Sequence, residues 1–189
     1  MEARRTPARW TYAEFARLPS DTGERHEVIA GELVVTPAPG TRHQRIVANL
    51  VALLEPFVRA NELGWIFPGP IDVLFAEGDY LEPDLVFVRR ERRGILSDRG
   101  IEGAPDLVVE IASPSTAGRD RGLKRERYAH FGVPEYWVVD PDARQIERWR
   151  LALDPAKPEV AHELLVWQPI LTAPALEVSV REIVADLDE

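Results

Sequence analysis

The chain predicts a mixed α/β sheet in a single domain, and three observations carry that expectation. Short alternating or apolar segments (IDVLF, DLVFV, DLVVEIA and EYWVVD) recur between residues 71 and 140. A long helix with one apolar stripe precedes them, and a second helix separates the third strand from the fourth. The order is helix, strand, strand, strand, helix, strand, giving a mixed sheet flanked by helices. An N-terminal hairpin precedes this core and antiparallel strands follow it.

At 189 residues the chain can bury a real core. No repeat, low-complexity tract or Gly/Ser-rich linker divides it, so one domain over 1–189 is expected, with its core at about 41–140.

Taken in order, Thr11 and Glu14 have capping-box spacing and open a short helix, TYAEFARL. HEVIAGELVV reads as a hairpin turning at Ala30-Gly31, and TPAPG ends it because prolines interrupt a strand. From Thr41, Ile46, Leu50, Leu53, Leu54 and Phe57 recur at helical spacing, with Asn61 and Gly64 at the end. The strands IDVLF, DLVFV and DLVVEIA follow, the last behind a polar excursion containing RRERR. Leu107 to Ala112 is apolar apart from Glu110, which marks a central strand covered on both faces. SPSTAGRD reads as a loop, and the helix around Lys124 stops at Gly132-Val133-Pro134. EYWVVD is the next strand, and QIERWRL and ELLVWQP are expected to continue the sheet antiparallel. VREIVADL, capped by Ser179, closes the chain as a short helix.

Composition narrows the function. Hydrophobic residues at 45% and charged residues at 29% describe a globular chain and exclude disorder. With no cysteine, any metal must be held by carboxylates or by the four histidines. The apolar runs are too short to cross a bilayer, and MEARRTPARW lacks the apolar stretch of a signal peptide, so a cytoplasmic protein is expected. The net charge of -9 is unlike that of a protein that coats DNA. Binding to nucleic acid would therefore rest on local cationic patches or on metal neutralising the acids; residues 89–93 and 119–127 are two candidate patches, with a solvated charged face as the alternative for each. The tryptophans Trp65, Trp137, Trp149 and Trp167 read as core, since no basic residues alternate with them.

Glu110 is the residue that asks for an explanation. An ionised carboxylate in an apolar strand is costly unless compensated, and a shared metal ion is one compensation. Asp84 opens the neighbouring strand, and its carboxylate converges on that of Glu110 if the two strands pair. Lys124 shares a helix stripe with Asp120 and Tyr128, from which its long stem can reach back over the Glu110 strand. His43, in the first turn of the long helix, is a candidate for touching phosphate or orienting a ligand, with a surface capping role as the alternative. Arg119 and Arg121 flank Lys124 and are candidates for substrate binding.

Together, HEVIAGELVV with HQRIVANLVALL, EPDLVFV, PDLVVEIASPST, a Lys-containing helix and GVPEYWVVDP resemble the PD-(D/E)XK nuclease superfamily, most closely its Uma-two family of restriction-endonuclease-like proteins. The resemblance covers about residues 10 to 150. It implies a restriction-endonuclease-like αβββαβ core and metal-dependent hydrolysis of DNA phosphodiesters. Asp84, Glu110 and the Ile111 carbonyl would hold Mg²⁺ or Mn²⁺, Lys124 would position water or stabilise negative charge, and Glu32 would complete the acidic cluster, an exposed turn acid being its other reading. The superfamily's lysine two residues after Glu110 is here Ala112, and the resemblance supplies it from the following helix as Lys124. Members often work as homodimers, and the C-terminal strands offer an edge for pairing.

Two other readings stay open. One is a nuclease fold that binds nucleic acid or a protein partner without turnover. The other is a metal-dependent hydrolase of small phosphorylated substrates. The chain has no Gly-rich phosphate loop and no Ser-His-Asp elbow signature.

Overall fold

The structure, a computed structural model, describes residues 9–19 and 23–185. Residues 1–8, on which the reading of the N-terminus rests, and the last two residues of VREIVADL lie outside them.

The chain opens with α1 (Tyr12–Phe15), where Thr11 and Glu14 form the reciprocal capping box. The hairpin β1 (Glu24–Ile29) and β2 (Glu32–Pro37) turns through Ala30 and Gly31, both with positive φ (55° and 91°), the conformation a two-residue hairpin loop needs. β2 continues through Thr36 to Pro37, two residues past the expected stop. At a sheet edge a proline costs no ladder hydrogen bond. Next come α2 (Thr41–Ala60), β3 (Gly64–Pro68), β4 (Val73–Ala76), β5 (Asp79–Leu81) and β6 (Leu85–Arg89). A 3₁₀ segment, Arg90–Ile95, leads to β7 (Leu96–Ser97), β8 (Gly100–Glu102) and β9 (Leu107–Ile111). The second helical segment begins as α3 (Ala117–Arg119), widens into a π-helical turn (Asp120–Lys124) and continues as α4 (Arg125–His130). β10 (Tyr136–Asp140), β11 (Gln145–Trp149), β12 (Glu159–Ala161), β13 (Leu164–Trp167), β14 (Leu176–Ser179) and α5 (Val180–Ile183) complete the chain. Ser179 caps α5 as expected, accepting from the Glu182 N–H.

The central sheet runs β12-β11-β10-β9-β6-β3. Only β9 and β10 pair parallel in it, the helical segment 117–130 forming their crossover. A second sheet runs β2-β1-β5-β4-β8-β7 and is mixed as well. The αβββαβ order is present, but its first strand is GWIFP and not IDVLF. IDVLF lies in the second sheet, where β4 pairs with β5 and β8. ELLVWQP also leaves the central sheet, because β13 pairs with β14 alone. SPSTAGRD is only partly a loop, since helix begins at Ala117.

β9 is buried along its whole length, and strand alternation divides its side chains between two cores. Leu107, Val109 and Ile111 join Leu85, Phe87, Trp137 and the stripe of α2 (Ile46, Leu50, Leu54), packed also against α5. Trp167 sits in this core with Phe87 and Trp137 edge-on, at centroid distances of 5.3 and 5.8 Å. Val108 and Ala112 face the other way, joining Val86, Val138, Tyr136, Tyr128 and Ile29. Glu110 has the parity of Val108, so it belongs to this second face, under β1 and α4. Gly64 lets β3 run close to β6. Its φ is 152°, and a Cβ there would stand 2.0 Å from the Val88 carbonyl oxygen.

Candidate active site

β6 and β9 pair antiparallel with Leu85 opposite Val109, and one further step places Asp84 opposite Glu110. Directly opposed residues share a face, which brings the two acids together. The Asp84 Oδ2 accepts the Ile111 N–H at 2.7 Å, fixing the carboxylate on the neighbouring strand. Its Oδ1 receives Arg25 Nη1 at 2.7 Å and lies 3.0 Å from His43 Nε2.

Glu110 is 3% exposed. Its Oε1 accepts Lys124 Nζ at 2.8 Å and the Tyr128 hydroxyl at 2.7 Å. Lys124, 4% exposed, also lies 2.8 Å from Glu27 Oε1. Glu27 in turn accepts the Glu82 N–H at 3.0 Å. The π-helical turn carries Asp120 and Lys124 at its two ends, both buried, with Tyr128 a turn further on. The predicted stripe thus exists and faces the sheet. Such widened turns concentrate at functional positions.

Burial pushes Glu110 up to about 8; the Lys124 ammonium pulls it down, and the charges of Asp84, Asp120 and Glu27 push it up. Burial likewise opposes the charge on Lys124, but Glu110, Glu27 and Asp120 more than compensate, and its pKa lies above the ordinary lysine range. Burial would raise Asp84 as well. His43, Arg25 and the Ile111 N–H outweigh it and hold this carboxyl at about 2. Two carboxylates on one face therefore have their proton affinities driven apart, a pattern concentrated at sites of chemistry.

Beside Asp84 opens a cavity of about 240 Å³, whose walls include Arg25, His43, Gln44, Pro70 and Glu82. A larger cavity, about 490 Å³, is lined by Arg89, Asp106 and Glu135, at the opposite ends of the same strands. The smaller one is lined by Asp84 itself, with Glu110 buried behind it, and is the relevant one.

Asp84, Glu110, Ile111, Lys124 and His43 are thus brought to one place. Glu32 is not. By register it shares the face of Ile29 and Glu27, but it stands exposed at the hairpin end of an edge strand. Glu27 is the hairpin acid of the cluster. Arg121 is also committed elsewhere: it donates to Glu147 Oε1 at 2.6 Å and to Asp140 Oδ2 at 2.6 Å. Arg119 is half-buried at the end of α3, with no contact to the acids described. In the other basic stretch, Arg89 and Arg92 are bound by Asp106. Arg25 and Glu27 were missed by sequence reasoning. Arg25, Glu27 and Ile29 share one face of β1 by alternation, but Val28 on the other face is buried as well, so alternation alone does not single out the face that meets the acids.

The donor set suits a hard divalent cation of the kind that takes one or two carboxylates and keeps most of its waters. Asp84 and Glu110 supply hard oxygens on one face, with the strand backbone alongside. Among the described residues no three His, Asp or Glu side chains form a closed metal cage. The acids are instead interleaved with Lys124 and Arg25. No helix among the described residues is long and apolar enough to cross a membrane.

A family model described as "Uma2: Putative restriction endonuclease" matches residues 12–181. The uncharacterized protein sll1609 of Synechocystis sp. is 26% identical over 142 residues, covering 74% of this chain and 80% of that protein. A crystal structure of "a putative nuclease belonging to DUF820" from Anabaena variabilis has the same fold, with a TM-score of 0.73 at 21% identity. The match covers 93% of this chain and 97% of that one.

Proposed function

The chain belongs to the Uma2 family, described as "Putative restriction endonuclease", and from that membership we propose that it hydrolyses DNA phosphodiester bonds with Mg²⁺ or Mn²⁺. The observation that carries this reading is the placement of Asp84 opposite Glu110, with Lys124 held on Glu110.

Asp84, Glu110 and the backbone carbonyl of Ile111 are the groups that would hold the cation. When bound, a divalent cation neutralises charge on the phosphate and acidifies a water. The chain's own residues do the rest. Asp84 is anchored by the Ile111 N–H, so its carboxylate cannot rotate away from the sheet. Lys124 holds Glu110 in place and brings an ammonium to a water-poor site, where a positive charge counts for more than in water. There it orients the attacking water or stabilises the charge that develops on the phosphate; removing one such group costs about 10²–10³ in rate. Tyr128 orients Glu110 through its hydroxyl and is a positioning residue. Arg25 and His43 line the cavity beside Asp84 and meet a phosphate entering there.

Arg25 is the cation on the substrate side of a chain whose net charge is -9. Pairing of two copies through the C-terminal strands is part of the proposal, since β13 turns Leu164 and Val166 outward, 47% and 49% exposed.

The test is cleavage of supercoiled plasmid and of single-stranded DNA with Mg²⁺ or Mn²⁺, comparing wild type, Glu110→Ala and Lys124→Ala. Loss in both variants and on chelation supports the reading with Lys124 in its role. Metal binding by the wild type without cleavage of any nucleic acid sinks the nuclease reading and favours a binding protein.

A further inference from the structure

Two cations neutralise the acids of the site, and their surroundings differ. Lys124 is enclosed, with Glu27 and Glu110 each at 2.8 Å, and it lines no described cavity. Arg25 reaches Asp84 from β1, a strand of the other sheet. Its guanidinium lies 2.7 Å from Asp84 Oδ1 and 3.6 Å from the Glu82 carboxylate, and it donates to the Glu82 carbonyl. Its side chain is 19% exposed and forms part of the wall of the 240 Å³ cavity. Void space thus adjoins the one cation bound to Asp84 that has a long flexible stem. Asp84 keeps two further contacts, the Ile111 N–H and His43, so it stays in position without Arg25.

We propose that Arg25 is a displaceable counter-ion. It neutralises Asp84 in the metal-free protein, gives way to a divalent cation, and turns into the adjoining cavity to hold a substrate phosphate. This rests on the metal-dependent reading of the same site. The physical argument is competition: two cations cannot share one buried carboxylate without each weakening the other's hold. Reciprocity follows. A phosphate that draws Arg25 into the cavity tightens the metal, and the metal frees Arg25 for the phosphate. A guanidinium suits both posts, because its planar fork matches carboxylate and phosphate alike.

The test is titration of Mn²⁺ alone, by calorimetry or electron paramagnetic resonance, into wild type, Arg25→Met, Arg25→Lys and Asp84→Asn. A short DNA duplex is titrated separately in Ca²⁺, with thermal melts as a check on folding. Arg25→Met should bind Mn²⁺ at least about 5-fold tighter than wild type, the low end of ordinary coupling between sites, and should bind the duplex more weakly. A merely structural role would not move the two affinities in opposite directions. Should Arg25→Met fail to fold, Arg25→Lys decides: its ammonium cannot span Asp84 and Glu82, so Mn²⁺ should again bind tighter. Mn²⁺ affinity unchanged or weakened in a folded variant overturns the proposal while leaving the metal site intact. Wild-type Mn²⁺ binding that survives Asp84→Asn, or is absent altogether, overturns the metal reading and this inference together.

Discussion

Lys124 stands 2.8 Å from Glu110 on the central sheet, and the same ammonium stands 2.8 Å from Glu27 on the second sheet. One side chain therefore joins the two sheets through their acids. Replacing it with methionine leaves both carboxylates buried and uncompensated. Lys124→Met should cost about 3–5 kcal/mol in urea or guanidinium unfolding, the usual penalty for breaking a buried pair. Adding Glu110→Gln should cost less than the sum of the single changes, as residues in contact do not add.

The two hairpin acids should behave differently. Glu27→Ala removes a partner of Lys124 and the acceptor for the Glu82 N–H, and should destabilise by about 1–3 kcal/mol. Glu32→Gln, at an exposed position, should stay within about 0.5 kcal/mol and leave cleavage unchanged. Parallel melts and plasmid assays separate them.

Asp140 provides a pH signature away from the acidic cluster. Burial raises its pKa, but the Ala143 N–H, Arg121 and the Asp142 N–H outweigh burial and hold it below the usual aspartate value. A depressed carboxyl stabilises the fold above its unfolded pKa, about 3.9, and that contribution disappears as pH falls through the folded value. The stability gap between wild type and Asp140→Asn should thus be constant above about pH 5 and close progressively below about pH 4. Denaturant melts from pH 7 to 2.5 measure it. A gap that widens on acidification contradicts the assignment.

Gly64→Ala should be costly for a backbone reason. The added methyl meets the Val88 carbonyl oxygen at 2.0 Å, and φ at 152° is unfavourable for alanine. The loss should exceed about 1 kcal/mol, and thermal melting checks it. The substitution acts on the β3–β6 pairing, far from the acids, so metal affinity should be spared in the fraction that folds.

Glu110 could be recognised in the sequence because its neighbours are all apolar, and a buried acid needs a partner. Lys124 and Tyr128 could be placed because helical spacing orients a stripe. GWIFP was not recognised as the first core strand: its five residues begin with a glycine and end with a proline and carry no alternation, whereas IDVLF has the apolar residues of a strand with Asp72 set between Ile71 and Val73. Periodicity identifies a strand but not its sheet, which is decided by long-range pairing. The same gap hid Glu27 and Arg25. Both lie on a polar hairpin strand, and only the packing of the second sheet over the first shows that this face is buried. Arg121 misled for the opposite reason, since a basic run looks alike whether it faces solvent or meets Glu147 and Asp140.

Ala112, 7% exposed, fills the place where a strand-borne lysine would stand. The ammonium comes instead from the widened turn at 120–124. The sheet's own ladder thus places the acids, whereas docking of the segment 117–130 places the lysine. That docking rests on Tyr128 with Glu110, Tyr136 with the Asp120 carbonyl, Arg121 with Glu147 and Arg127 with Asp79. Lys124 and Tyr128 both bind Glu110 from this one segment, so its opening and the loss of the site's ammonium are a single event. The site can therefore be dismantled by peeling away one crossover, its carboxylates left standing on an intact sheet. Amide exchange across 117–130 would report how often that happens.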